Sequence, residues 1–208
     1  LNGTVFVVNL PLAVWGLGAK VASSFIKLRF FNVMQQREFQ VDWDQKRLVF
    51  FMCDEFQEIV SANKDGLSDL NFWDKSRSSK TIGIISAQSV SSFYAAIGDR
   101  DCANALLQNF RQKICFRTED QETLDFLNRL TGRVEVEKIS YSEQSGSSGQ
   151  LNTANNMHRS RGKTVSHVDK EVLNPQLIRN LGKDQAVALL VIDGESRDDV
   201  LDMEAVYM

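Results

Sequence analysis

The chain has 208 residues, a formal net charge of −3 and 43% hydrophobic residues. That size supports one domain with a substantial core, and the near-neutral balance argues against a strongly basic nucleic-acid module while leaving room for a local basic patch. No run of about 18 apolar residues suggests a membrane span, no basic leader suggests a signal peptide, and Cys53, Cys102 and Cys115 form no CxxC or metal spacing.

Without a start methionine, the opening reads as the interior of a longer polypeptide. "TVFVVNL" (4–10) predicts a short strand buried on both faces. Pro11, Gly16 and Gly18 punctuate the next stretch. Over 19–37, Val21, Phe25, Leu28 and Val33, with Ile26 and Phe30, recur at helical spacing and predict a long helix. "LVFFMC" (48–53) is the next predicted strand, 66–80 a helix and polar turn, and "TIGIISA" (81–87) a third strand. Helices are predicted around 89–97 and 101–110, a strand at 113–117, a helix over 120–132 ending at Gly132, and a polar, edge-like strand at 134–140.

The pattern then collapses. Residues 141–170 are polar and nearly free of large apolar side chains, which predicts a mobile loop or linker. Its "RSRGK" reads as a solvated basic tract, with phosphate contact as the alternative, and His158 and His167 lie in or beside it with no catalytic or metal role expected. "NPQLIRNL" predicts a short helix and "QAVALLVID" (185–193) a final strand. Strands alternating with helices predict an α/β fold with a mostly parallel sheet. Cys53 and Cys115 lie in apolar strand-like runs and read as buried, reduced thiols, as expected of a reducing, cytoplasmic compartment.

The segment "RLVFFMCDEFQE" (47–58) carries the functional signal. Ligands of open α/β sheets bind beyond the carboxyl ends of the strands, so a strand ending in Asp54-Glu55 delivers two charges there. In nucleotide hydrolysis an Asp at that place holds the Mg²⁺ shell and a Glu polarises the attacking water. The alternative is that both are simply acids opening the next helix. Gln88, ending the following strand, would sense a γ-phosphate or else cap the next helix. Arg77, in the basic loop "DKSRSSKT", would be an arginine finger toward a neighbouring subunit or else a surface arginine. Phe56, Phe72 and Trp73 read as core. Ser86 and Ser89 have no nearby base and so do not suggest a serine hydrolase. No G-x-x-x-x-G-K-[ST] occurs, since "GLGAKV" (16–21) has the wrong spacing; a phosphate-cradling loop would have to lie upstream of Leu1.

Taken in order, "VFFMCDEFQEI", then "DKSRSSKTIGIISAQSVSSFYAAIGDRDCANALLQNFRQKICFRTEDQETLDFLNRLTG", and finally "LNPQLIRNLGKDQAVALLVIDGES" resemble the C-terminal half of the motor domain of type IV coupling proteins. These are the TraG/TraD-like conjugative DNA-transfer ATPases of the wider FtsK/HerA group. The resemblance implies a RecA-like P-loop NTPase fold, with 1–140 and 171–208 belonging to one domain around the polar segment 141–170. It implies ATP and Mg²⁺ as cofactors, Asp54 as the Mg²⁺-shell carboxylate, Glu55 as the catalytic carboxylate, Gln88 as the γ-phosphate sensor and Arg77 as the finger. It further implies a hexameric ring, DNA or secreted protein as cargo, relaxase or adaptor proteins and other secretion-system components as partners, and an inner-membrane anchor on an N-terminal region outside this chain, with this segment facing the cytoplasm. The competing readings are a catalytically silent docking module of the same fold and a DNA-binding α/β domain without hydrolysis.

Overall fold

The computed structural model describes residues 3–145 and 159–204. Helix α1 (Leu12–Arg37) starts behind Pro11 and is broken at Gly16, whose φ of 52° and ψ of −132° leave the helical region. Its buried positions are Ala19, Lys27, Phe31, Met34 and Arg37. Val21, Phe25 and Val33 lie on the exposed side, so the periodicity predicted the helix but not which stripe packs.

Strands β1 (Val49–Cys53) and β2 (Thr81–Ile85) pair in parallel, Val49 opposite Thr81 through Cys53 opposite Ile85. Between them lie a 3₁₀ turn (Phe56–Glu58) and helix α2 (Asp69–Lys75), capped by Ser68 accepting from the Asn71 N–H. Helices α3 (Val90–Ile97) and α4 (Arg100–Asn109) follow, capped by Ser89 and Asp99. Next come β3 (Lys113–Phe116) and α5 (Gln121–Thr131).

Aromatic packing joins α1, α2 and β1. Phe31 stacks on Phe72 at 3.9 Å and meets Trp73 edge-on at 5.6 Å, while Phe51 lies 5.7 Å from Trp73. Such pairs add about 0.5–1.5 kcal/mol each beyond burial. Phe56, Phe72 and Trp73 are all buried, as the sequence suggested. Gly83 lets β2 approach closely: a Cβ there would lie 2.7 Å from the Trp73 ring and 2.8 Å from Phe110.

The sheet departs from the expectation of mostly parallel pairing. Among the described residues only β1 and β2 run parallel. β3 pairs antiparallel with β6 (Gln185–Ile192), which pairs antiparallel with β7 (Glu195–Asp202). β6 is therefore not the final strand. The chain reverses at Asp193-Gly194, both at positive φ, as a tight hairpin requires. The predicted linker is also corrected in part: β4 (Arg133–Ser145) and β5 (Arg159–Glu171) form a 13-pair antiparallel ribbon. Polar sequence conceals such a ribbon because its backbone ladder needs no apolar run; the rest of 141–170, including His158, lies outside the described residues. Helix α6 (Pro175–Arg179), capped by Asn174, matches its expectation.

Residues 4–10 form no strand, and Val5, Phe6 and Val7 are exposed. β-branched composition favours extension, but a strand forms only against a partner edge. β1 likewise covers one face only, with Phe50 and Met52 exposed, so it is not the doubly buried strand that its unbroken apolar run suggests. No helix among the described residues is long and apolar enough to cross a membrane.

Candidate functional site

The carboxyl ends of β1 and β2 meet in a small polar cluster. The parallel ladder continues past the strands, with the Ser86 N–H donating to Cys53 O at 2.9 Å and the Phe56 N–H to Ser86 O at 2.9 Å. This crossing of backbones brings Asp54 and Glu55 against Ser86 and Gln88. Ser86 Oγ donates to Asp54 Oδ1. Gln88 Nε2 donates to Glu55 Oε1 at 3.3 Å, and the Glu55 N–H donates to Asp54 Oδ1 at 2.9 Å. All four side chains are exposed, as a ligand-facing cluster requires.

The capping alternative for Gln88 does not match the geometry, whereas Asp54 and Glu55 do immediately precede a short 3₁₀ turn. Gln88 does not cap α3; Ser89 does, accepting from the Ser92 N–H at 3.2 Å. Glu55 stands at the N-cap of the 3₁₀ turn without a side-chain capping bond, and its backbone is left-handed at φ 46°, ψ 46°. A non-glycine residue there costs on the order of 1–3 kcal/mol, and such strain clusters at functional positions. It turns the chain sharply after Asp54, so that both carboxylates stay at the strand ends.

The cluster is supported from behind by a buried ion pair. Lys27 Nζ lies 2.5 Å from Asp69 Oδ2 and also donates to Ile59 O, tying α1 to the segment after Glu55 and to the start of α2. Ser61 adds its N–H at 2.7 Å and its hydroxyl at 2.9 Å to the same Asp69 oxygen. Lys27 and Asp69 are 2% and 0% exposed. Burial pushes the lysine pKa below its usual value, and Asp69 partly opposes that shift. Sequence reasoning missed both residues; the signal was a lysine one turn before Phe31 on a buried stripe that also carries Ala19 and Met34. Burial also pushes the neighbouring Cys53 thiol up to about 11, which leaves it a protonated wall residue. A cleft of about 770 Å³ opens beside the acids, between residues 4–13, α1 and β1, with Asp54, Glu55 and Glu58 on its rim.

Arg77 is not with the other site residues. It sits before β2, at the opposite end of the strand from Gln88, separated by about 16 Å of strand. The loop there is densely bonded. Ser79 Oγ donates to Ser76 O at 3.0 Å, the Thr81 N–H to Ser76 O at 3.1 Å, and the Lys80 N–H to Arg77 O at 3.2 Å. Lys80 is left-handed, at φ 56°. Arg77 is exposed, and with Lys75, Ser78 and Lys80 it lines a shallow, open depression.

The "DQET" segment is structural. Asp120 caps α5 by accepting from the Thr123 N–H at 2.9 Å, and its other oxygen takes the Ser91 hydroxyl of α3 at 2.5 Å. Burial raises its pKa, but these hydrogen bonds outweigh burial and hold the carboxyl below its usual value.

No cluster of three or more His, Cys, Asp or Glu that would hold a metal by itself occurs among the described residues. The donor set nevertheless fits Mg²⁺, which commonly takes one or two carboxylates and completes its shell with water and phosphate oxygens. Asp54 is an exposed, oriented, all-oxygen donor of that type.

Residues 48–183 match the family model described as the TraM recognition site of TraD and TraG. The chain belongs to this TraG/TraD-like coupling-protein family. No curated protein matches it significantly. Among solved structures, it is similar to the unbound monoclinic form of the bacterial conjugative coupling protein TrwBΔN70, with a TM-score of 0.62 and 18% identity over 91% of this chain and 39% of that one. It is also similar to the plasmid coupling protein TrwB in complex with a non-hydrolysable ATP analogue (TM-score 0.60, 17% identity, 89% of this chain and 37% of that one). TrwB with ADP and Mg²⁺ gives a TM-score of 0.58 at 16% identity, with the same coverage. At these identities the likeness concerns the α/β fold. The coupling-protein family member described here spans under two-fifths of the length of those structures.

Proposed function

We propose that the chain is the hydrolytic half of a coupling-protein motor, which uses ATP to recruit DNA or protein and drive it into a conjugative secretion channel. The observation that carries this is the pairing of Asp54 with Ser86 and Glu55 with Gln88 at the carboxyl ends of two adjacent parallel strands. In this reading Asp54 holds the Mg²⁺ shell, its orientation fixed by Ser86 and the Glu55 N–H. Mg²⁺ bound with the nucleotide supplies charge neutralisation at the phosphate oxygens. Glu55 accepts the proton of the attacking water, and Gln88 keeps its carboxylate aimed. A carboxylate acting as base contributes about 10²–10⁴-fold.

The phosphate-cradling loop comes from a segment outside this sequence. Arg77, on the far end of the same strands, acts on the nucleotide of a neighbouring copy. The acidic end (Asp54, Glu55, Glu58) and the basic end (Lys75, Arg77, Lys80) are complementary, as head-to-tail association into a closed ring, a hexamer in our reading, demands. The nucleotide complexes of TrwB support ATP and Mg²⁺ as the ligands.

The second reading is a docking role, favoured by the family's description as a TraM recognition site. A TraM-like adaptor would then deliver cargo to the motor. Plasmid transfer between mating cells separates the two. With Glu55→Gln in the full-length chain, a motor loses transfer while adaptor capture persists; a purely docking module transfers normally.

A further inference from the structure

We infer that Arg37 is a positioning residue for loop 76–80, holding the turn from which Arg77 projects. This rests on the reading of Arg77 as the group that acts on a neighbouring copy's nucleotide.

Arg37 is the last residue of α1 and only 5% exposed. Its partners are carbonyl oxygens rather than carboxylates. Nη1 donates to Ser79 O at 3.2 Å, and Nη2 donates to Asp44 O and Arg47 O, both at 3.0 Å. The guanidinium also lies over the Trp43 ring, 4.9 Å from its centroid. A cation taken out of water is tolerated only when such partners stay in place. Arg37 therefore fixes three segments at once: the end of α1, the connection into β1, and the loop before β2.

The contact with Ser79 is the informative one. Two residues from Arg77, Ser79 is itself 2% exposed, and its hydroxyl is shared with Ser76 O and Thr81 Oγ1. The back of the loop is thus anchored, while its front presents Arg77 with Lys75 and Lys80 to solvent. Two nitrogens of the planar fork reach Ser79 O on one side and Asp44 O and Arg47 O on the other, a spread that the single nitrogen of an ammonium does not reproduce. Releasing the Ser79 carbonyl leaves the loop free to drift, and a displacement of about 1 Å at a reacting group costs on the order of 100-fold in rate.

The test uses the full-length, oligomeric protein with Arg37→Lys, which keeps charge and stem, and Arg37→Met as a second variant. ATP turnover is measured alongside Arg77→Ala. The expected result is a kcat lowered about 10–100-fold with KM for ATP unchanged. In addition, oligomers mixed from Arg37→Lys and Glu55→Gln copies should regain turnover above either alone, because each supplies the half the other lacks. A merely destabilising change would not be complemented in this way. The inference is overturned if folded Arg37→Lys turns over like the unaltered protein while Arg77→Ala is inactive. If Arg77→Ala is itself fully active, the finger reading fails, and the positioning role fails with it.

Discussion

The two ends of the β1–β2 pair are built by the same device for opposite charges. At the carboxyl end a left-handed Glu55 turns the chain and leaves carboxylates at the surface; at the amino end a left-handed Lys80 does the same among cations. In both places one buried cation on α1 holds the loop from behind, Lys27 through Ile59 O and Arg37 through Ser79 O. The anchors differ in kind. Lys27 is neutralised by Asp69, whereas Arg37 is met by carbonyls and an aromatic ring. Helix α1 thus works as a common strut for a candidate catalytic end and a candidate trans-acting end.

This symmetry can be broken at either end. Arg77→Ala should lower ATP turnover in the full-length oligomer by about 10³-fold or more, the usual scale for an arginine finger, while nucleotide binding by the same chain is retained in an equilibrium titration. Lys27→Met should leave Asp69 buried without its counter-charge, held only by Ser61, costing about 3–5 kcal/mol, read as a lower denaturation midpoint. Ser86→Ala should leave folding intact and reduce turnover about tenfold, with a raised Mg²⁺ requirement, since a net hydrogen bond to a charged group is worth about 1.5–3 kcal/mol. Asp120→Asn should cost about 1 kcal/mol, because the amide can still cap α5 but loses the charge that strengthens the bonds from Ser91 and Thr123. The Asp120 carboxyl is held below its usual value, so it contributes stability above the unfolded-state pKa of about 4 that is lost as pH falls through the folded value. The variant should therefore show a flatter acid limb in its stability profile.

Much of the order of elements was legible because helices here carry their own signals. Ser68, Ser89, Asp99, Asp120 and Asn174 all cap within two residues of the helix starts expected from the sequence. Strands at 49–53, 81–85 and 113–116 announce themselves as apolar runs between polar turns. Pairing was not legible, because register depends on residues far apart in the chain. Hence the antiparallel pairing of β3, β4 and β6, each expected as a strand, was missed, and β5 and β7, the latter with Asp198 and Asp199 in its middle, were not expected as strands. Only Asp193-Gly194 hints at the turn before it.

The candidate site was legible at Asp54, Glu55 and Gln88, because strand ends concentrate ligands in this class of fold. The hold of Ser86 on Asp54 was not, since it spans two strands. Nor were Lys27 and Arg37, because a charge on a buried helical stripe looks like an interruption of the pattern until its partners are known.

The most direct measurement is single-turnover ATP hydrolysis by the full-length protein, unaltered against Glu55→Gln, with nucleotide binding followed in the same samples. The account predicts binding within a few-fold of the unaltered protein and hydrolysis reduced by about 10²–10⁴-fold. Hydrolysis at the unaltered rate in the variant would contradict it and leave the carboxylates at the strand ends without a chemical role.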